Sequence, residues 1–369
     1  MPSTLRLEWT AETSPEPTSC HKDTDVVFFW PSQCPRRPTA SNAIGATTMS
    51  NTKGQESLVV DDLPECLRIL AHQELGETAV VRRQALKQLR QLLSDEPSLH
   101  FTADEDTLLI FLRARKYDVP CAFNTIKRYF KARRENPDMF DALCLHSVPF
   151  HAACRQHQLV TLSRKTDPKG RPVLMLNLGK GPPHYLSTEP GPSPARNRAR
   201  SSPRGTWNTS ICSLDQYYRV GILHIMHIIF KDCFQMTGVV IVVDFKNLGP
   251  YHLAHYTPYN VRKFVKLVQD CCPMRIKEVY VINNPAVFDI LFAIAKPFLK
   301  HKLVKRFHLL GYDLNKLHGL VPDDLIPEKY GGTLESYDYD DIERELKARD
   351  EVFEQWNSYG YREAAQDTV

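Results

Sequence analysis

Two groups of residues in this sequence have side chains suited to chemistry, and each falls short of a reactive pattern. Cys144, His146, His151, Cys154 and His157 crowd thiols and imidazoles into one short stretch. A structural zinc site takes four such ligands at finger-like intervals. The intervals here match no common finger, and the residues between them read as an amphipathic helix. Asp244 follows an apolar run, at the strand end where α/β sheets place working groups. No nucleophile or base accompanies it, so a turn cap is the better reading. The sequence has no glycine-rich phosphate loop, nucleophile elbow or His-Glu-x-x-His helix. Cys271 and Cys272 are expected to pack as thiols, because adjacent cysteines bridge only under strain. The expectation is a protein that binds rather than catalyses, with no enzyme activity, metal or cofactor.

Bulk properties agree with a folded binding protein. The chain is 42% hydrophobic and 24% charged, enough apolar side chain for a substantial core. Its formal charge of +4 gives no ground for nucleic acid as a partner. The longest apolar run, Val220 to Phe230, is interrupted by His224 and His227 and is too short to span a bilayer. Val26 to Trp30 is too short for a secretory signal and has acidic residues upstream. The ten cysteines are therefore expected reduced, in the cytoplasm.

The elements follow from periodicity. Residues 1–57 are rich in proline, serine and threonine, without period, and read as disordered. Residues 181–205, dense in proline and arginine, read as an inserted loop. Residues 58–140 are helical: Thr102 with Glu105 forms a capping-box pair, Leu108, Leu109 and Leu112 share a face, and a second helix starts at Pro120. From about residue 170 the period changes. Val173–Leu176, Val239–Val243, Val279–Ile282 and Phe307–Leu310 are near-continuous apolar runs, the habit of parallel strands buried on both faces. Helical stretches at Asp215–Lys231, Tyr259–Asp270 and Ala286–Lys300 lie between them, which makes the fold class α/β with a mainly parallel sheet. A final amphipathic helix is expected over Asp340–Ser358.

Several segments, in this order, resemble the CRAL-TRIO lipid-binding family. They are Phe111-Leu112-Arg113-Ala114-Arg115, Val242-Val243-Asp244-Phe245, Ile282-Asn283-Asn284-Pro285, Lys296-Pro297-Phe298-Leu299 and Ile326-Pro327-Glu328-Lys329-Tyr330-Gly331-Gly332. The match runs over roughly residues 60 to 335 and is strongest to the family's tocopherol-transfer and retinaldehyde-binding group. The resemblance implies a helical module (58–140) packed on an α/β lipid-binding domain (141–335, with the 181–205 insertion), then a carboxy-terminal helix and tail (336–369). It also implies an apolar cavity closed by a helical lid from Asn283 to Arg306. That lid combines apolar Val287, Phe288, Leu291, Phe292 and Ile294 with basic Lys296, Lys300, Lys302, Lys305 and Arg306, a composition suited to an anionic leaflet.

Carried over position by position, the resemblance makes Tyr218, Ile225, Val239, Val243, Phe264, Leu267, Val268, Cys272 and Met274 the ligand-lining residues. Plain core packing is the competing reading for each. Ile225 stands where a polar serine is expected in the tocopherol protein, which argues against tocopherol itself as cargo. Arg115, Arg275, Lys302 and Arg306 match a basic cleft that binds phosphoinositide headgroups, phosphatidylinositol bisphosphate among them. The implied function is transfer of a small hydrophobic lipid, tocopherol-like, retinoid or similar, at phosphoinositide-bearing membranes such as endosomes. The alternative is a trafficking adaptor that senses lipid without carrying it.

Overall fold

The structure, a computed structural model, describes residues 63–178, 212–248, 255–335, 337 and 339–361. The expectations for residues 1–57 and 181–205 lie outside these.

The amino-terminal part is built from helices. After α1 (Glu65–Leu75), each main helix begins at a short polar side chain that accepts a free backbone N–H. Thr78 caps α2 (Ala79–Ser94), Asp104 caps α3 (Glu105–Ala114) and Asp118 caps α4 (Val119–Glu135). A two-residue strand, β1 (Leu99–His100), separates α2 from α3. The expected pair of Thr102 with Glu105 does not form. Asp104 is nearer the helix and its Oδ2 takes the Thr107 N–H at 3.0 Å, while Thr102 Oγ1 accepts from the Asp104 N–H. Glu105 instead accepts from Arg82 at 2.8 Å. A single turn, α5 (Pro137–Phe140), ends the module.

Five strands make the main sheet, in the order β2 (Val160–Thr166), β3 (Pro172–Asn177), β4 (Val239–Asp244), β5 (Ile276–Ile282) and β6 (Phe307–Gly311). β2 runs antiparallel to β3, and the other neighbours are parallel. Four of these strands sit at the expected apolar runs. β2 does not announce itself in this way, because its Val-Thr-Leu-Ser-Arg-Lys-Thr sequence mixes polar residues into a short stretch. Alternation along the strands divides the interior in two. Ile241, Val243, Val279 and Val281 face one core, and Val240, Val242, Tyr280 and Ile282 face another.

The first face is covered by α6 (Leu214–Ile229), α7 (Asp232–Thr237), α8 (Pro258–Lys266) and the lid helix α9 (Val287–Ala295). Pro297 ends the lid as a 3-10 turn, and α10 (His301–Val304) leads into β6. The second face is closed by α11 (Asn315–His318) and the segment ending at Tyr330. Gly332 is demanded there, since a Cβ would lie 1.9 Å from the Ile326 carbonyl oxygen. The single helix expected over Asp340–Ser358 is two, α12 (Tyr339–Lys347) and α13 (Asp350–Ser358). At the break between them Arg349 turns inward and reaches His227 Nδ1 at 3.0 Å. A last strand, β7 (Gly360–Tyr361), pairs back onto β1.

The helical module meets the α/β part through a fully buried arginine. Arg113 on α3 donates two hydrogen bonds to Glu77, both at 2.9 Å, and reaches Asp232 at 2.7 Å and Gln235 at 2.9 Å on α7. Burial opposes the charge, but the Glu77 hydrogen bonds and carboxylate hold the guanidinium protonated. Among the described cysteines Cys271 and Cys272 are buried free thiols, as expected of packing residues. Cys233 departs from the expected reduced set and is disulfide-bonded.

Candidate functional site

Between the first face of the sheet and its covering helices lies a cavity of about 240 Å³. Strands β3 to β6 form its floor, with Leu174, Ile241, Val243 and Val279 pointing into it. α6 and α8 make its sides. Phe288, Leu291 and Phe292 of the lid make its roof, and Leu299 and Leu303 extend it. No lining side chain carries a charge, so the cavity offers an apolar ligand nothing that needs hydration.

Eight of the nine expected lining residues reach this wall: Tyr218, Ile225, Val243, Phe264, Leu267, Val268, Cys272 and Met274. The ninth, Val239, shares the face of Ile241 and Val243 but sits at the strand's start, wholly buried in solid core. Phe264 and Tyr218 stack with centroids 4.9 Å apart. Burial pushes the Cys272 thiol up to about 12, so it presents neutral S–H to the cavity rather than a nucleophile. The sequence reading missed Tyr217, Ile222, Met226 and Tyr256, which also line the wall. On α6 they could have been found from Tyr218 and Ile225, which mark one helical stripe.

If Val268 borders open space, Val268→Trp should reduce lipid occupancy while the melting temperature holds. Overpacking a solid core would instead remove ~1–3 kcal/mol of stability. Native mass spectrometry alongside thermal melting separates the two, and pure destabilisation counts against a cavity at this position.

The lid is anchored at the carboxyl ends of the strands. Asn283 takes a left-handed backbone, φ +52°, which asparagine tolerates better than most residues. Its Nδ2 donates to Asp244 Oδ1 at 2.9 Å and its N–H to the Gly311 carbonyl at 2.6 Å. Asp244 caps its own turn as expected, accepting from Lys246 N–H at 2.8 Å, and also accepts from the Tyr330 hydroxyl. At its far end the lid is held by Gln269, which donates to the Phe298 carbonyl and accepts from the Lys300 N–H. Phe288 packs on Phe245 with centroids 4.8 Å apart, whereas Ile290 on the outer side is 54% exposed.

Of the expected basic positions, Arg275 and Arg306 meet at the opposite end of β5. Arg275 donates to the Met236 carbonyl and, at 2.9 Å, to Glu74. Gly238 permits this approach, because a Cβ there would lie 2.4 Å from the Arg275 carbonyl oxygen. Arg306 donates to the Ile276 carbonyl, next to Arg275 in the chain. Arg115 donates to Thr125 at 2.8 Å, and its charge is felt at Cys272. Lys302 is exposed on α10, one turn before Arg306. Lys277 and Glu74 complete the cluster and were not foreseen. Lys277 donates to Glu74 at 2.8 Å. Burial lowers the Lys277 ammonium, Glu74 opposes this, and the charges of Arg275 and Lys116 add to the lowering. Lys277 lies at the start of β5, two residues beyond Arg275 in the chain.

A family model described as the CRAL/TRIO domain matches residues 156–332. The Alpha-tocopherol transfer protein-like protein of Homo sapiens is 32% identical over 275 residues, covering 74% of this chain and 72% of its own. Its counterpart in Mus musculus is 32% identical over 295 residues, covering 80% and 78%. Clavesin-1 of Xenopus laevis is 29% identical over 266 residues, covering 72% of each. The chain belongs to the CRAL/TRIO family.

The matched CRAL/TRIO span contains the whole five-stranded sheet, the lid and the closing turn at Gly332. In this CRAL/TRIO chain Cys144, His146, His151, Cys154 and His157 do not form a ligand set. They are spread over two short helices and the residues that flank them, and among the described residues no group of three or more His, Cys, Asp or Glu is placed to hold a metal. Nor is any helix among the described residues long and apolar enough to cross a membrane.

Proposed function

We propose that this CRAL/TRIO protein is a non-enzymatic intracellular carrier of a small hydrophobic lipid, exchanging it at phosphoinositide-bearing membranes. The observation that carries this reading is an uncharged cavity roofed by a helix whose two ends are separately held by hydrogen bonds. The eight wall residues named above would contact the cargo. Arg115, Arg275, Lys302 and Arg306 would hold the phosphoinositide headgroup, because polyvalent phosphate needs several converging cations and arginine can bond it bidentately. Glu74 would be the counter-ion that the phosphate displaces. Residues 58–140 and 141–335 would act as one unit, with the helical module contributing Arg115 to the cleft.

Vesicle assays test the reading. Each Lys or Arg near an anionic membrane contributes ~1 kcal/mol. Lys302→Ala with Arg306→Ala should therefore weaken attachment to phosphoinositide vesicles about thirtyfold. Cargo occupancy should hardly change, transfer between vesicles should fall, and added salt should narrow the difference. Equal loss on neutral vesicles would place the effect in lid folding, since Arg306 also bonds the Ile276 carbonyl. Lys302→Ala alone, at an exposed position, is the control for that. A chain that docks but never speeds exchange would be a sensor and not a carrier.

A further inference from the structure

A second recess opens where α3, the start of α7 and the last two helices meet, a groove of about 840 Å³. It shares no lining residue with the lipid cavity. Ile110 of α3, Phe234 of α7, and Val352 and Trp356 of α13 give it an apolar strip, and Val352 is 39% exposed. Its charges are unevenly placed. Toward α12 they pair among themselves, Lys231 with Glu345 at 2.6 Å and Arg164 with Asp341 at 3.2 Å. The charged lining side chains at the starts of α3 and α7 are acidic: Asp104, Asp106 and Asp232.

Cys233 stands between Asp232 and Phe234 of this wall and is disulfide-bonded. The chain has ten cysteines, and seven of the described ones are free thiols. That leaves Cys20 and Cys34 as partners, both ahead of Leu63, where the described residues begin. Their sequence surroundings differ. Cys34 comes four residues after the apolar run Val26-Val27-Phe28-Phe29-Trp30 and two before Arg36-Arg37, whereas Cys20 is followed by Asp23 and Asp25. An aromatic run suits the apolar strip, and paired arginines suit a wall of carboxylates. The aspartates after Cys20 would meet like charge there. The 29 residues from Cys34 to Leu63 can span about 100 Å when extended, so reach is no obstacle.

We propose that the groove holds residues 26–37 of this chain, with Phe28, Phe29 and Trp30 on the apolar strip, Arg36 and Arg37 against the carboxylates, and Cys34 bonded to Cys233. The inference does not depend on the carrier reading. The bond forms by exchange with a small disulfide such as oxidised glutathione. The Cys34 thiolate attacks it and releases one glutathione thiol, and Cys233 then attacks the Cys34 sulfur and releases the second. Each protein thiol gives up one proton and one electron, and the glutathione disulfide takes up both. In a reducing compartment the tether therefore closes only on oxidation.

Non-reducing tryptic mapping of the full chain, equilibrated at a fixed ratio of oxidised to reduced glutathione, tests this. Peptide Asp23–Arg36 carries Cys34, Leu7–Lys22 carries Cys20 and Asp232–Lys246 carries Cys233. Asp23–Arg36 should be found joined to Asp232–Lys246 within single chains. Absence of that pair overturns the proposal, and so does linkage through Leu7–Lys22 or linkage confined to covalent dimers. Trp30→Asp changes the segment alone, and Val352→Glu changes an exposed position of the groove. Each should lower the linked-to-unlinked ratio about fivefold, the effect of withdrawing little more than one methylene from apolar contact. A ratio equal in the parent and both variants would mean a tether with no seat in the groove, and overturns the docking.

Discussion

Arg113→Ala is expected to remove about 3–5 kcal/mol of stability, the usual effect of breaking a buried ion pair from one side. The side chain is wholly buried, and its loss strands Glu77, itself 8% exposed, with Asp232 beside it. The cost comes less from the lost attraction than from carboxylates left in a low dielectric without a partner. Chemical denaturation with urea should show a much lower midpoint with a similar slope. Replacing the more buried pair, Arg113→Met with Glu77→Leu, should recover part of the loss, because the carboxylate that then loses Arg113 is the better exposed Asp232, at 22%. A single variant within 1 kcal/mol of the parent would mean that water reaches the cluster.

Stability is expected to fall steeply below pH 6.5. His224 and His227 interrupt the apolar face of α6 and are both buried. Burial is the main cause that lowers each to about 4, from an ordinary 6.5. His224 Nδ1 lies 2.8 Å from the Val220 carbonyl and its ring stacks on Phe150. His227 is held neutral between Arg349 at Nδ1 and Glu345 at Nε2, with Lys231 also paired to Glu345. The native imidazoles stay neutral where those of the unfolded chain take up protons. Their contribution is thus complete above pH 6.5 and is lost as pH falls toward 4. By pH 4.5 the loss is on the order of 2–3 kcal/mol for each, about 5 kcal/mol together. Glu345 acts in the same direction at lower pH, because the His227 hydrogen bond outweighs burial and holds its carboxyl well below the usual range. Urea midpoints at pH 7.0, 5.5 and 4.5 measure this, and an unchanged midpoint across that series would refute it.

Much of the fold could be read in the sequence where burial leaves a periodic trace. The strands β3 to β6 are legible because both faces are covered, so their apolar runs are continuous. β2, at one edge and partly polar, leaves no such run. The break at Arg349 depends on a side chain 122 residues away, a distance no local pattern reports. Within the site, type alone does not separate wall from core. Val239 and Val243 are the same residue on the same strand face, and only their height along β4 puts one in solid core and the other in the wall. The four basic positions proposed for headgroup binding were read through family resemblance. Glu74 was not, since its meeting with Arg275 spans 201 residues and an isolated acidic residue on a helix reads as solvated surface.

The carboxy-terminal strand and helix bear on how the protein is made. Trp356 of α13 stacks on Phe111 and donates to the Tyr129 hydroxyl across 227 residues of chain. β7 completes the pairing of β1, Leu99 with Tyr361 and His100 with Gly360. During synthesis α3 and α4 leave the ribosome early, with Phe111, Tyr129 and Phe130 presenting an open aromatic face. Chains fold as they emerge, at roughly 5–20 residues per second, so that face waits more than ten seconds for the helix that covers it. Contacts of such long sequence separation slow folding, and exposed aromatic surface in the interval invites association with other chains. A helix made more than 200 residues later is therefore part of the core that α3 and α4 start, and the nascent protein depends on whatever shields α3 and α4 until α13 arrives.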